Sequence, residues 1–131
     1  MITVQQLLDS KPHSVVTIAE EVPVQEALEL MARHKISALP VVSGSRLAGI
    51  VSERDYIRKA VPKRVAPWDI TVGEIMTRDV FTVARSDSIN ACMDLMCANR
   101  IRHLPVMHGE ALVGMLSITD VLRALRGAPG A

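Results

Sequence analysis

GIVSERDY (Gly49–Tyr56) and GMLSITDV (Gly114–Val121) share one skeleton within a single chain. Each stretch has a glycine, two apolar residues, a serine, two variable residues and an aspartate. The apolar residues after the glycine are typical of a β-strand, and Ser-x-x-Asp is typical of a helix N-terminus. The pattern therefore predicts a strand that runs directly into a helix, built twice.

The spacing of 65 residues between these stretches extends along most of the chain. Leu39-Pro40-Val41 matches Leu104-Pro105-Val106, and no gap is needed from residue 17 to residue 61. The chain is therefore an internal duplication. Each half predicts a short strand, a helix with apolar residues at i, i+3, i+4 and i+7, a hairpin, and a final helix from Ser52 or Ser117. The predicted fold class is α/β (α+β), with β-α-β-β-α occurring twice.

A similar segment precedes each half, VQQLLDSK at 4–11 and VGEIMTR at 72–78. A stretch with two prolines and mixed polarity, 62–71, reads as a linker. The predicted organisation is therefore a first repeat with its N-terminal helix at 1–61, the linker at 62–71, a second repeat at 72–127 and a tail at 128–131.

The amino-acid composition indicates which of three partners, nucleic acid, a membrane or a second copy of the chain, the protein is expected to bind. Aromatic residues make up 2% of the 131 residues and the net charge is +1, so a nucleic-acid surface is not expected. Hydrophobic residues make up 49%, which in so short a chain predicts apolar surface covered by a second copy, a homodimer. There is no apolar run of 18 residues and no signal-peptide pattern at the N-terminus. We expect a cytoplasmic protein that does not enter a membrane.

The sequence gives little indication of catalysis. The four histidines, at 13, 34, 103 and 108, have no metal-ligand spacing. Gly-x-Ser-x-Gly and Walker motifs are absent from the sequence. We therefore expect no enzyme activity, no catalytic residue and no metal site.

The phrases HKISALPVV with GIVSERD, and NRIRHLPVM with GMLSITD, carry a family resemblance, with IMTRDVFTV between them. Over about positions 1 to 127 the chain resembles a tandem pair of cystathionine-β-synthase (CBS) domains, a Bateman module of the stand-alone bacterial type. The resemblance implies two repeats related by a pseudo-two-fold, with their sheets packed together and helices outside. It also implies clefts between the repeats that bind adenosine-containing ligands, and dimerisation.

The resemblance assigns roles to residues of the repeated motif. It implies that Asp55 and Asp120 hold a ribose and that Ser52 and Ser117 lie near a phosphate, while the motif glycine would let the ligand approach the backbone. A capping box that satisfies the helix N-terminus without any ligand explains the same Ser-x-x-Asp pattern.

Further residues follow from the resemblance. The adenine would lie near Thr17-Ile18 and Thr82-Val83, although Ile18 and Val83 also fit an ordinary strand core. Arg102 and His103 resemble a basic pair that contacts phosphate in the gamma subunit of AMP-activated protein kinase. In that pattern the pair reaches the nucleotide held by the other repeat's aspartate, so Arg102 and His103 would serve the cleft of Asp55, and Ser37 and Ala38 would lie at the cleft of Asp120. Arg54 lies beside Asp55, where the second repeat has Thr119. Arg102 as a solvated surface residue and His103 as a half-buried strand end are the alternatives.

The sequence therefore predicts a regulatory module that senses an adenine nucleotide, AMP, ADP or ATP, or NAD, and signals through changed repeat or dimer geometry. An unidentified effector protein would respond to that geometry. A ligand-free dimerisation scaffold is the alternative from another class. The resemblance implies contacts with the adenosine groups that these nucleotides share, so the motifs do not distinguish between them.

Overall fold

A computed structural model describes residues 1–11 and 15–127. The chain divides into two compact units. The repeat-1 unit comprises residues 16–80, and the repeat-2 unit comprises residues 1–15 together with 81–131. His13 and the predicted tail, 128–131, lie outside the described residues.

The order of helices and strands is the same in both repeats. A 3₁₀ turn, Val61–Lys63, follows the first repeat. In chain order the helices and strands are α1 (Val4–Asp9), β1 (Ile18–Ala19), α2 (Val24–His34), β2 (Ala38–Ser43), β3 (Arg46–Ser52), α3 (Glu53–Lys59), α4 (Val72–Ile75), β4 (Val83–Ala84), α5 (Ile89–Asn99), β5 (His103–His108), β6 (Ala111–Ser117) and α6 (Ile118–Arg126).

The strands confirm the predicted β-α-β-β-α plan. In the repeat-1 unit β1 pairs parallel with β2, and β2 pairs antiparallel with β3. In the repeat-2 unit β4, β5 and β6 pair in the same way. The apolar runs Val15–Ile18 and Val80–Val83 predict first strands of four residues, and the observed first strands are shorter. Only two residues of each, Ile18–Ala19 and Val83–Ala84, pair with the next strand, and the preceding Thr17 and Thr82 are exposed.

In the part of the chain that the structure describes, each unit has its own apolar core of ten buried residues, and nine of the ten occupy equivalent positions in the two units, Met76 and Val121 being the exceptions. The core helices α2 and α5 bury the residues that the helical spacing predicts at i, i+3 and i+7, whereas the i+4 residues, Leu28 and Met93, are half-buried. Each helix ends at a residue in left-handed conformation. The repeat-1 core consists of Ile18, Val24, Ala27, Met31, Leu39, Val41, Val51, Val72, Ile75 and Met76. The repeat-2 core consists of Val4, Leu7, Val83, Ile89, Cys92, Met96, Leu104, Val106, Leu116 and Val121.

The leading helices α1 and α4 pack in the unit of the repeat that they do not precede. α4 comes before the second repeat in the sequence, yet Val72 and Ile75 belong to the repeat-1 core. α1 comes before the first repeat, yet Val4 and Leu7 belong to the repeat-2 core. The predicted domain ranges 1–61 and 72–127 follow the order of the sequence, and they stay a prediction. In the compact units each leading helix belongs to the other repeat.

The motif glycines lie where the leading segment crosses the hairpin. A Cβ at Gly49 would lie 2.6 Å from the backbone oxygen of Thr77, which exchanges two hydrogen bonds with Ile50, of 2.9 and 2.8 Å. A Cβ at Gly114 would lie 2.8 Å from Cδ2 of Leu8. Since the chain itself occupies this space, glycine is required here for close packing of the protein rather than for the approach of a ligand.

Gly49 and Gly114 differ in whether the neighbouring atoms can move to make room for a methyl group. We expect Gly49→Ala to lower the free energy of unfolding by about 1–3 kcal/mol, because its added methyl group meets backbone. Gly114→Ala meets the end of a leucine side chain, which can change rotamer, so we expect a smaller loss of about 0.5–1.5 kcal/mol. Urea unfolding of both variants measures the difference, and equal losses or the reverse order would contradict it.

Candidate ligand-binding site

The Asp55 site lies where β3 runs into α3. The hydroxyl of Ser52 accepts a hydrogen bond from the Asp55 amide at 3.1 Å. Oδ2 of Asp55 accepts bonds from the Ser52 amide at 2.8 Å and from the Ser52 hydroxyl at 3.0 Å. Oδ1 lies 3.3 Å from Nζ of Lys59 and 3.4 Å from the hydroxyl of Thr77. The capping box expected from Ser-x-x-Asp is therefore formed.

The Asp120 site repeats this geometry where β6 runs into α6. The Ser117 hydroxyl accepts a hydrogen bond from the Asp120 amide at 3.1 Å, and Oδ2 of Asp120 accepts one from the Ser117 amide at 2.9 Å. Nζ of Lys11 donates to the same Oδ2 at 2.8 Å and to the carbonyl oxygen of Met115 at 3.0 Å. The capping box is formed here as well, with an ion pair on the same oxygen.

Lys59 and Lys11 bind the strand–helix junctions of the two repeats, but they come from different parts of the chain. Lys59 lies on α3, four residues after its aspartate, and reaches back to the carbonyl oxygen of Ile75 in α4 at 2.8 Å. Lys11 lies beyond α1 and reaches forward to Met115 in β6. In each unit one ammonium therefore links the aspartate and the leading segment to the strand–helix junction.

The partners of Asp120 keep its carboxyl ionised. Burial would raise the pKa of Asp120, but hydrogen bonds from Lys11 and from the Ser117 backbone, with the charge of Lys11, hold the pKa below its ordinary value of 3.8. At neutral pH the group is therefore a pure hydrogen-bond acceptor.

Arg102 and His103 lie beside the Asp120 site in the repeat-2 unit. His103 is paired in register with Ser117, and the carbonyl oxygen of Arg102 accepts the Ile118 amide at 2.8 Å. Burial lowers the pKa of His103 below 6.5, against an opposing effect of Asp120, and nearby Arg102 lowers it further. The imidazole is therefore neutral at pH 7, and the exposed Arg102 supplies the charge of the predicted basic pair.

The remaining predicted residues divide by exposure. Ile18 and Val83 are each 7% exposed and belong to the two cores, so their side chains are strand core. The exposed residues among them are Thr17, Thr82, Arg54 and Thr119.

Three residues of the site were missed by sequence reasoning. Lys59 carries a local signal, since an acid followed four residues later by a lysine on a helix is a favourable pair. Thr77 and Lys11 carry none, because they belong to the leading segments. Lys11 is 109 residues from Asp120 in sequence, so only the packing of α1 in the repeat-2 unit brings them together.

Within residues 1–11 and 15–127, no group of three or more His, Cys, Asp or Glu side chains is placed to hold a metal ion. The longest helices in the same ranges have 11 residues, about half the length that spans a bilayer, and none qualifies as a membrane span.

Comparison with known proteins places this geometry in a family. Residues 5–61 and 72–127 each match the CBS domain. The chain belongs to the CBS domain family. CBS domain pairs are regulatory modules.

Individual CBS proteins are similar over most of the chain. A Burkholderia ambifaria protein with CBS domains is 41% identical, with a TM-score of 0.92 over 98% of this chain and 97% of that one. The CBS domain pair of protein MJ0100, solved in complex with 5′-methylthioadenosine and S-adenosyl-L-methionine, is 29% identical, with a TM-score of 0.84 over 97% and 98% of the two chains.

Among curated relatives, the mitochondrial CBS domain-containing protein CBSX3 of Arabidopsis thaliana is 40% identical over 107 residues. The match covers 78% of this chain and 52% of that relative, so this chain spans about half of its length.

The lowered pKa of Asp120 predicts how stability depends on pH. The carboxylate is favoured by folding, so its contribution is complete above about pH 5 and is lost as the pH falls below 3.8 and through the lower folded value. We expect Asp120→Asn to destabilise the protein less at pH 3 than at pH 7, as measured by urea unfolding. Asp94→Asn, at an exposed residue of α5, is the control. A destabilisation by Asp120→Asn that is the same at both pH values would contradict the prediction.

Proposed function

We propose that this CBS pair is a regulatory module that binds an adenosine-containing ligand at the Asp55 and Asp120 sites. The single observation that carries the proposal is the repeated, partly buried aspartate at the start of the final helix, with side chains 13% and 20% exposed. Capping a helix requires only one carboxylate oxygen, and the box uses Oδ2 in both cases. The second oxygen, Oδ1, is not part of the cap, so a ribose hydroxyl would donate to it, at Asp55 in place of the longer contacts from Lys59 at 3.3 Å and from Thr77 at 3.4 Å.

The ligand class rests on chemistry and on one relative. A ribose presents two neighbouring hydroxyl donors, which match the two oxygens of an ionised carboxylate. A related CBS pair, at 29% identity, was solved with two adenosine derivatives. We propose AMP, ADP, ATP or NAD, or a related adenosine derivative, as the ligand, with Thr17 and Thr82 and the backbone of Ile18 and Val83 near the base.

Phosphate groups would distinguish the two sites. Ser52 and Arg54 are the polar and charged groups beside Asp55, and Ser117, Thr119 and Arg102 are those beside Asp120. A guanidinium forms charge-assisted bonds with phosphate, and each site has one, Arg54 beside Asp55 and Arg102 beside Asp120. The sites differ at the position of Arg54, where the second repeat has Thr119, which forms neutral bonds. His103 is neutral at pH 7 and would contribute a hydrogen bond rather than charge.

Signalling would follow from differential affinity. A ligand that binds one conformation of the pair more tightly shifts the population toward it, and an effector protein that recognises this conformation responds. The activity is therefore regulatory binding rather than catalysis.

We expect Asp55→Asn and Asp120→Asn each to weaken adenosine at one site by about tenfold to a hundredfold, the effect of one charge-assisted hydrogen bond. Asparagine preserves an acceptor for the serine amide, so the cap is retained. Calorimetric titration of wild type and both variants is the measurement.

Titration with 2′,3′-dideoxyadenosine is the control for the ribose role, since it lacks both hydroxyls. It should bind wild type and the variants equally. If adenosine lost no affinity in either variant, the ribose role would be wrong. If millimolar adenosine, AMP, ATP and NAD all failed to bind or to raise the melting temperature, the ligand-free scaffold would replace this proposal.

Self-association is the second part of the proposal. Ile57 on α3 and Leu122 on α6 occupy equivalent positions and are 60% and 48% exposed. Large apolar side chains exposed at the same place in both repeats are suited to an interface between two copies of the chain. A stable interface would bury about 1,200–2,000 Å².

We expect light scattering to give the mass of a homodimer at micromolar concentration. The double variant Ile57→Lys with Leu122→Lys should shift the mass toward the monomer, because charge is costly to bury there. Arg33→Ala, at an exposed residue of α2, serves as the control. A wild-type monomer would refute the proposed assembly.

A further inference from the structure

The carboxylate oxygen Oδ2 of Asp120 is fully used by the protein. Such an oxygen has two lone-pair positions. The Ser117 amide occupies one at 2.9 Å and the Lys11 ammonium occupies the other at 2.8 Å. A further hydrogen bond to Oδ2 therefore requires that one of these donors leave.

The two donors are not equally replaceable. The Ser117 amide is fixed by the end of β6 and by the capping box of α6, so its removal would disrupt the helix start. The Lys11 ammonium stays at Asp120 only through a flexible side chain that is 30% exposed, so it can return to water without disturbing the helix start. Lys11 is therefore the donor that yields.

We propose that Lys11 sets the ligand affinity of the Asp120 site, because its ammonium competes with the vicinal hydroxyls of the ligand for Asp120. A diol that gives one hydroxyl to each carboxylate oxygen must displace Lys11 from Oδ2. The ligand in this inference is that of the proposed function, on which it rests, but the competing residue is an addition to it.

Displacement of Lys11 also acts on the N-terminal segment. The Lys11 amide donates to the carbonyl oxygen of Leu8 at 3.3 Å, and the Ser10 amide donates to that of Leu7 at 3.1 Å. The ion pair thus anchors the turn that ends α1. Occupancy of the Asp120 site is therefore coupled to the stability of this turn, which gives ligand binding a structural output within the repeat-2 unit.

Lys59 provides a matched comparison in the repeat-1 unit. Its ammonium is 3.3 Å from Oδ1 of Asp55, and its side chain is 45% exposed. Lys59 lies on the same helix as Asp55, and its shorter bond, of 2.8 Å, goes to the carbonyl oxygen of Ile75 in α4 rather than to the aspartate. Competition from Lys59 is therefore weaker than competition from Lys11.

The first test measures adenosine affinity by calorimetry in an Asp55→Asn background, so that Asp120 is the remaining ribose carboxylate. Lys11→Met keeps the length of the side chain and removes its charge. It should tighten adenosine binding by about tenfold, the effect of losing one exposed charge-assisted competitor. The affinity for 2′,3′-dideoxyadenosine should stay the same.

Lys59→Met, measured for adenosine in an Asp120→Asn background, should give less than about a threefold gain.

The second test needs no ligand. Hydrogen exchange of the Ser10 and Lys11 amides, followed by NMR, should be several-fold faster in Lys11→Met and in Asp120→Asn than in wild type. Lys59→Met should leave these two amides unchanged. Adding adenosine to the wild type should accelerate the same amides.

The outcomes separate the two proposals. Unchanged or weaker adenosine binding in Lys11→Met, with adenosine still bound by the wild type, would overturn the role of Lys11 alone. Unchanged exchange in both Lys11→Met and Asp120→Asn would overturn the coupling to α1. Failure of adenosine to bind wild type and Lys11→Met alike would overturn the proposed function and this inference with it.

Discussion

The close crossing of the leading segment over the strand hairpin is the constraint on which both sites depend. At Gly49 the chain passes so near that a methyl group would lie 2.6 Å from the Thr77 oxygen, and at Gly114 the leucine of α1 takes the same space. The crossing brings Thr77 to Asp55 and Lys11 to Asp120. Each aspartate therefore lies between a helix start and a segment from elsewhere in the chain, which is why it is largely buried.

Burial of a carboxylate in turn requires that its charge be compensated. The capping box supplies hydrogen bonds in both units, but the positive charge comes from different places in the chain. In the repeat-1 unit it comes from Lys59 on the helix itself, and in the repeat-2 unit it comes from Lys11 beyond α1. Two unrelated solutions to one requirement indicate that the charge, rather than a particular residue, is what the junction needs.

Much of this architecture could be predicted from the sequence, because duplication and periodicity are local signals. The 65-residue repeat, the helices Val24–His34 and Ile89–Asn99 and the four hairpin strands all follow from spacing. The first strands were predicted too long, since apolar character does not reveal that only Ile18–Ala19 and Val83–Ala84 find partners. The packing of each leading helix with the other repeat has no local signature at all. Lys11 was missed for that reason, whereas the i, i+4 spacing of Asp55 and Lys59 on a predicted helix could have indicated Lys59.

The duplication kept the acceptor and the cap while the surrounding donors diverged. Asp55 and Asp120 have equivalent boxes, so the two sites present the same carboxylate acceptor at the start of the final helix. The neighbours of Asp120 are a neutral histidine, an exposed arginine and a lysine from the first eleven residues, whereas those of Asp55 are a threonine and a lysine of its own helix. Since the bonded partners named here lie in the same unit as their aspartate, the proposed exchange of a lysine ammonium for a ligand hydroxyl would be a local event. Only at Asp120 does that event release a segment that precedes both repeats, so the regulatory output of the module would begin there.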